Sequence, residues 1–458
     1  QMSRFFFVLG EVAVDLLVHT ETVSVAAKKL RLKAQEMQQD RAQEVAKKDG
    51  EEGQGIAAQC GLQSSEEDAE QDLYETIAEE EVIRKNLIGA FSGMVQAIVK
   101  RMLKDFQDGG VSANSTSIGR LFLNQSALMT LCKFMSVSRK FCKKNIAMIF
   151  DVLESMGSYE HAASMRANIV ISLGDLLSRF PNVVAPQCHR LYACLQDTNI
   201  SVRKNALMVI SHLILNGMLK PSGYMAKIAI CLEDKETRIG DLARLFFAEL
   251  KKRDPKRNPI YNMLPDVISQ LSSDYSVSSE TFRSIIKFLL KHVDKDAQTE
   301  NLVEKLCGRF QRSDSANDDK RSERLFCDFA YCLAQLPYGT KCIKKLMNCF
   351  EIYKVQMVID EVHEHFTEMV EKALKHNANK DKTELKEEIV EFKRMVDRAH
   401  KGKFEDDLHD EEEKATSATA DGEGETATPE ATKVANDAPM QEEEDDEDSD
   451  SDSEIETM

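Results

Sequence analysis

The 458-residue sequence has no Trp and contains only nine Pro and 20 Gly. An all-β protein needs many tight turns, and a glycine-looped α/β enzyme needs Gly at fixed places, so both classes fit poorly. The 11 Cys include no CxxC pair and no regular spacing, which reads as reduced thiols in a cytosolic or nuclear protein. No GxxxxGK[ST] string occurs, and the nearest run, Tyr338-Gly339-Thr340-Lys341, has the wrong order. No GxGxxG follows a strand, and no local nucleophile motif is present. The expectation is a non-enzyme with no cofactor and no small-molecule substrate. The apolar run FFFVLGEVAVDLLVH is interrupted by Glu11 and Asp15 and is shorter than the ~20 residues of a membrane span. It also lacks the basic flank and cleavage site of a signal peptide.

What is present points to helices. Hydrophobic residues make up 42% of the chain, and 19 Met suit a helical interior with irregular gaps. Residues 1–48 read as N-terminal amphipathic helices, 49–71 as a polar linker rich in Gly, Ser and acid, and 72–375 as an almost continuous helical array. Residues 376–403 hold a charged terminal helix with a narrow stripe of Leu385, Ile389, Phe392 and Val396. Residues 404–458 read as a disordered acidic tail. The chain opens on Gln inside an apparent helix, which reads as a fragment of a longer protein.

The strongest internal signal is a repeat of 37 residues. Met165-Arg166 and Asn168 match Val202-Arg203 and Asn205; Leu195 and Asp197 match Leu232 and Asp234. One period further on, Val202 meets Ile239, Ala206 meets Ala243 and Leu213 meets Leu250. Units of 30–50 residues, each two helices, indicate an all-α solenoid of HEAT or armadillo type. Val202, Ala206, Val209, Ile210 and Leu213 form the wide apolar stripe of a helix packed between neighbours. Asp197 is placed to accept backbone N–H groups at the next helix start, and Gly217 and Pro221 to end the helix.

The strings VRKNALMVISHLILNGMLK, AICLEDKETRIGDLARLFFAEL and NPIYNMLPDVISQLS closely resemble the C-terminal HEAT block of the condensin complex subunit 1 family, the non-SMC regulatory subunits of condensin I. The segments FRSIIKFLLKHVDKDAQTENLVEKLCGRF and FCDFAYCLAQLPY fit the same family, and the resemblance runs from about Phe5 to Phe350. It implies a scaffold that binds the kleisin subunit, approaches an SMC ATPase head and contacts double-stranded DNA in mitotic chromosome assembly. The large N-terminal half of such subunits has no counterpart in this sequence. The condensin II counterpart and a HEAT transport adaptor or importin-like carrier remain open alternatives.

Several residues are candidates for chemistry. The cluster Glu361, His363, Glu364 and His365 has its histidines at i, i+2, pointing apart on a helix, whereas a zinc protease needs i, i+4. A solvated helix face is the expectation there. Cys188, His189 and Cys194 lack a second ligand pair and read as core thiols. Asn258-Pro259 through Leu264-Pro265 reads as core, with both prolines starting helical turns.

Charge is the more informative feature. The formal total is −18, but residues 404–458 hold 23 acids against Lys414 and Lys433, a net of −21. Removing that leaves +3 on the first 403 residues. Residues 161–260 carry 15 Lys+Arg against eight Asp+Glu, a net of +7. Candidate DNA contacts are Arg139, Lys140, Lys143 and Lys144, then Arg203 and Lys204, then Lys251, Lys252, Arg253, Lys256 and Arg257. Such contacts to phosphate would be independent of base sequence. The same residues also suit an ordinary solvated face, and the 251–257 run also suits a nuclear localisation signal. In the tail, Ser449, Ser451 and Ser453 each precede an acid by three positions, and Thr428 precedes Pro429, so all four are phosphorylation candidates. Nuclear and mitotic-chromosomal localisation, with a cytoplasmic pool, follows from the resemblance.

A −21 segment on a basic body should compete with DNA. Deleting residues 404–458 should tighten duplex binding at fixed salt in a gel-shift titration; unchanged affinity would refute the competition.

Overall fold

The period seen in the sequence is kept by the helices. The computed structural model describes residues 1–49, 73–85, 87–108, 118–157, 159–220, 223–254, 258–293, 295–311, 319–377 and 383–402, and within these there is no β-strand. Residues 1–402 form one compact unit, and 403–458 lie outside the described residues.

The chain begins with α1 (Met2–Asp49), a single long helix. Its first turns bury Phe6, Leu9, Ala13 and Leu17, spaced as one helical stripe. A π-helical segment at Ile77–Lys85 leads to α2 (Leu87–Gln107), α3 (Ile118–Val137) and α4 (Arg139–Ser155). Helix α1 packs along α3, and the Thr130 hydroxyl donates to the Phe6 carbonyl at 2.7 Å.

The repeat region follows as α5 (Ala163–Arg179), α6 (Cys188–Ala193), α7 (Ile200–Leu215), α8 (Met225–Ile230) and α9 (Thr237–Arg253). The long helices start at 163, 200 and 237 and the short ones at 188 and 225, so every start repeats at 37. Helices α5, α7 and α9 are neighbours in that order. Their inward faces are buried at equivalent places: Ile169, Leu173 and Leu176; Val202, Ala206, Ile210 and Leu213; Ile239, Ala243 and Leu250. Gly174 makes the approach possible, because a Cβ there would stand 2.7 Å from Val209.

Between these helices runs a ladder of ion pairs, fully buried at Arg166 and half-buried at Asp197, Arg203 and Asp234. Arg166 Nε and Nη2 donate to the two carboxylate oxygens of Asp197 at 2.8 and 2.9 Å. One repeat later, Arg203 does the same to Asp234, at the same two distances. The spare nitrogen of Arg166 donates to the carbonyls of Met156 and Tyr159, and that of Arg203 to those of Asp197 and Thr198. Each Arg therefore joins the start of one long helix to the loop before the next. Asp197 was expected to cap α7; the cap is Asn199, whose side chain accepts from Ser201 N, while Asp197 accepts from Asn199 N. A third rung is missing because the next equivalent position is Gly240.

Helix α7 ends as expected at Gly217, which adopts φ +74° and lets Met218 N return to the Leu213 carbonyl. Pro221 lies outside the described residues. The second half comprises α10 (Pro259–Ser273), α11 (Ser279–Leu290), α12 (Asp296–Cys307), α13 (Asp319–Ala334), α14 (Thr340–Asn348), α15 (Asp360–Asn377) and α16 (Thr383–His400). Pro259 opens α10, but Pro265 sits inside it rather than starting a turn. Ile260 and Leu264 are buried, while Met263 is only partly covered. Asn258, at φ 45°, caps α10 and donates its amide to the His292 carbonyl at 2.7 Å. No helix among the described residues is long and apolar enough to cross a membrane.

Arg166 is 1% exposed, so its removal strands the Asp197 carboxylate. Arg166→Ala should lower the unfolding free energy by about 3–5 kcal/mol in urea titrations. Arg166→Lys should recover only part, because an ammonium cannot make the paired contact. A wild-type midpoint for the Ala variant would refute this.

Candidate nucleic-acid interface

An exposed basic face lies at the start of α4. Ser138 caps this helix, its hydroxyl accepting from Phe141 N at 3.1 Å. At about 100° per residue, Arg139, Lys140, Lys143 and Lys144 occupy an arc of about 140°. Phe141, Cys142, Asn145, Ile146 and Ile149 fill the opposite side and are buried. The hydrophobic core thus fixes which way the four cations point. All four are exposed. Arg139 is 3.4 Å from Glu75 and lies over the Phe180 ring. Lys140, Lys143 and Lys144 have no ion-pair partner among the described residues.

Beside them is a cleft of about 430 Å³, lined in part by Glu21, Tyr74, Glu75, Arg139 and Arg179. Arg179 donates to Glu21 at 2.6 Å and to the Tyr74 hydroxyl at 3.0 Å, which ties α1 to α5. Burial pushes the Tyr74 phenol above its ordinary pKa against the pull of Arg179. The cleft also takes in Glu79 and Lys140, so three acids face three bases there, and Lys143 and Lys144 add positive charge outside it.

The other sequence candidates are placed differently. Arg203 is held by Asp234 and is 14% exposed. Lys204 is exposed beside it, with no ion-pair partner among the described residues. Lys252 pairs with Glu249 at 2.6 Å, and Arg253 donates to the Ile214 carbonyl at 2.7 Å, capping the end of α7. Lys251 is half-buried. Lys256, Arg257, Thr428, Ser449, Ser451 and Ser453 lie outside the described residues.

The histidine cluster is not a solvated face. His365 is buried against Tyr331, and burial together with Arg283 holds its pKa below the ordinary value. His363 points the other way, stacks on His400 at 4.0 Å and lies 3.2 Å from Asp397. The two rings do diverge, but each meets a neighbouring helix. Among the described residues no group of three His, Cys, Asp or Glu is arranged to hold a metal ion. Cys188 and Cys194 are core thiols, pushed up to about 11 and about 12 by burial.

One ionisable group had no sequence signal. Asp328 on α13 is buried, and desolvation raises its pKa to about 6 despite Ser272, Arg324 and Arg283 nearby.

The chain matches the family model for non-SMC mitotic condensation complex subunit 1 over residues 164–334, which hold both ladder rungs. It is 36% identical over 416 residues to the condensin-1 complex subunit CAP-D2 of Arabidopsis thaliana, covering 88% of this chain and 27% of that protein. It is 34% identical over 403 residues to condensin complex subunit 1 of Xenopus laevis, covering 87% and 27%. The chain belongs to the condensin complex subunit 1 family. The Saccharomyces cerevisiae condensin complex subunit 1 is 30% identical over 352 residues, covering 76% of this chain and 28% of that protein. The chain therefore spans about a quarter of the length of these condensin relatives.

The Asp328 carboxyl gives a pH test. Its folded pKa is above the unfolded one, so the folded state holds the extra proton between about pH 4 and 6. The cost of ionising it is absent below that window and complete above it. Asp328→Asn should therefore raise unfolding stability by about 1–3 kcal/mol at pH 7.5. The gain should disappear near pH 4; equal effects at both pH values in denaturant titrations would contradict the assignment.

Proposed function

We propose that the chain is part of a regulatory HEAT subunit of condensin. In this reading it binds the kleisin subunit, approaches an SMC ATPase head and contacts double-stranded DNA during mitotic chromosome condensation. It acts in the nucleus and on chromosomes, with a cytoplasmic pool, and it is not an enzyme. ATP turnover belongs to the SMC partners. The family membership supports the complex; the outward lysine face of α4 carries the DNA part.

The mechanism follows from charge and shape. Lys140, Lys143 and Lys144 project from one rigid helix whose other side is locked into the core. Cations held in that way neutralise phosphates and release counterions, without reading bases. Lys204 adds a further exposed cation. The residues Arg203 and Arg253 instead maintain the scaffold, so their loss would act through the fold.

Replacing Lys140, Lys143 and Lys144 together by Glu should weaken binding equally on unrelated duplex sequences. The slope of log affinity against log salt should fall by about 3, at about 0.9 per phosphate contact. The test is gel-shift or fluorescence titration of the full chain at several salt concentrations, with thermal melting to confirm folding. A folded triple variant with wild-type affinity and slope would overturn the assignment. Measurable ATP hydrolysis by the isolated chain would overturn the non-enzymatic reading.

A further inference from the structure

The 37-residue period also organises the solvent side of the repeats. Ile171 on α5, Met208 on α7 and Leu245 on α9 are one period apart and are 45%, 50% and 55% exposed. Solvent-facing positions of a helix are ordinarily polar, and a lone exposed apolar residue needs no explanation. Three at the same place in three adjacent helices form a row. The packing of α5, α7 and α9 side by side sets their spacing at about 8–10 Å.

We infer that this row is a docking surface for an extended peptide with apolar residues at every third position. A polyproline II strand rises ~3.1 Å per residue and turns once in three, so residues i, i+3 and i+6 share one side about 9 Å apart. That matches one apolar contact per repeat. An amphipathic partner helix would also reach such a spacing with a heptad, but the surroundings favour an exposed backbone. Asn168 and Asn205, three residues before Ile171 and Met208, stand half-buried along the same edge. Asn205 donates only a long 3.4 Å bond to the Ala167 carbonyl, so its amide oxygen remains open to a peptide N–H.

Charge orients the partner. The edge beyond Ile171 carries exposed Asp175, and the edge before Met208 carries exposed Lys204. Neither has an ion-pair partner among the described residues. At the third helix the equivalent edges are already neutralised, Asp241 by Arg244 at 3.0 Å and Glu249 by Lys252. The complementary peptide places a basic side chain over Asp175 and an acidic one over Lys204.

This goes beyond the subunit reading and uses no condensin component in its test, so the failure of one does not decide the other. A display library of random linear peptides is selected against the full chain, and enriched peptides are titrated by fluorescence polarisation. The expected peptides carry apolar residues at i, i+3 and i+6. Met208→Asp should weaken them about tenfold or more, and Asp175→Lys should weaken those with the matching basic residue. Val355→Asp, an exposed apolar site far along the chain, should change nothing. Thermal melting should be unaltered in all three variants, since each side chain is exposed. The inference is overturned by an absence of enriched peptides, by peptides indifferent to Met208→Asp or by heptad-spaced helical peptides. A self-association abolished by Met208→Asp would likewise overturn it, by making a second copy of the chain the occupant.

Discussion

The two-rung ladder of Arg166 with Asp197 and Arg203 with Asp234 is the constraint on which the repeat array depends. A buried ion pair adds little net stability over an apolar pair of the same shape, but a half-broken one is costly. Its value here is geometric. A planar guanidinium on two carboxylate oxygens admits one register, and its remaining nitrogen closes on two loop carbonyls in each rung. Each rung therefore fixes the position of one long helix against the loop of the next. The apolar stripes then pack in a single alignment, and the side chains on the far face inherit the period.

That inheritance joins the scaffold to its surfaces. The same 37-residue step that aligns Ala206 with Ala243 in the core aligns Ile171, Met208 and Leu245 outside it. At α4 the logic is local: burial of Phe141, Cys142, Ile146 and Ile149 leaves only one direction for the lysines to face. Where the ladder stops, at Gly240, other devices take over. Asn258 caps α10 and reaches the His292 carbonyl, and Arg324 donates to the carbonyl of Val277.

Much of this was legible in the sequence because helical burial is periodic. The all-α solenoid, the repeat length and the inward positions of Val202, Ala206, Ile210 and Leu213 follow from spacing alone. The rungs were harder to see. Arg166 and Asp197 both fall inside the repeat, but a pair 31 residues apart leaves no local pattern. For the same reason Arg203 and Arg253 looked like available cations, whereas a cation count cannot separate a surface charge from one consumed in a cap or a ladder. The burial of His365 leaves no local signal, because its ring meets Tyr331 on α13, far away in sequence. Pro265 shows the converse case, a helix that tolerates an interior proline because tertiary packing on Ile260, Leu264 and Ile268 outweighs local preference.

The central claim is that a core-locked helix presents its cations to nucleic-acid phosphates. Hydrogen exchange of the full chain with and without duplex DNA tests it most directly, because it reads position as well as binding. The account predicts slower exchange at the first turns of α4, around residues 138–145, with little change along α9. Protection confined to the end of α9, or no protection at α4 under conditions where the duplex is bound, would contradict it.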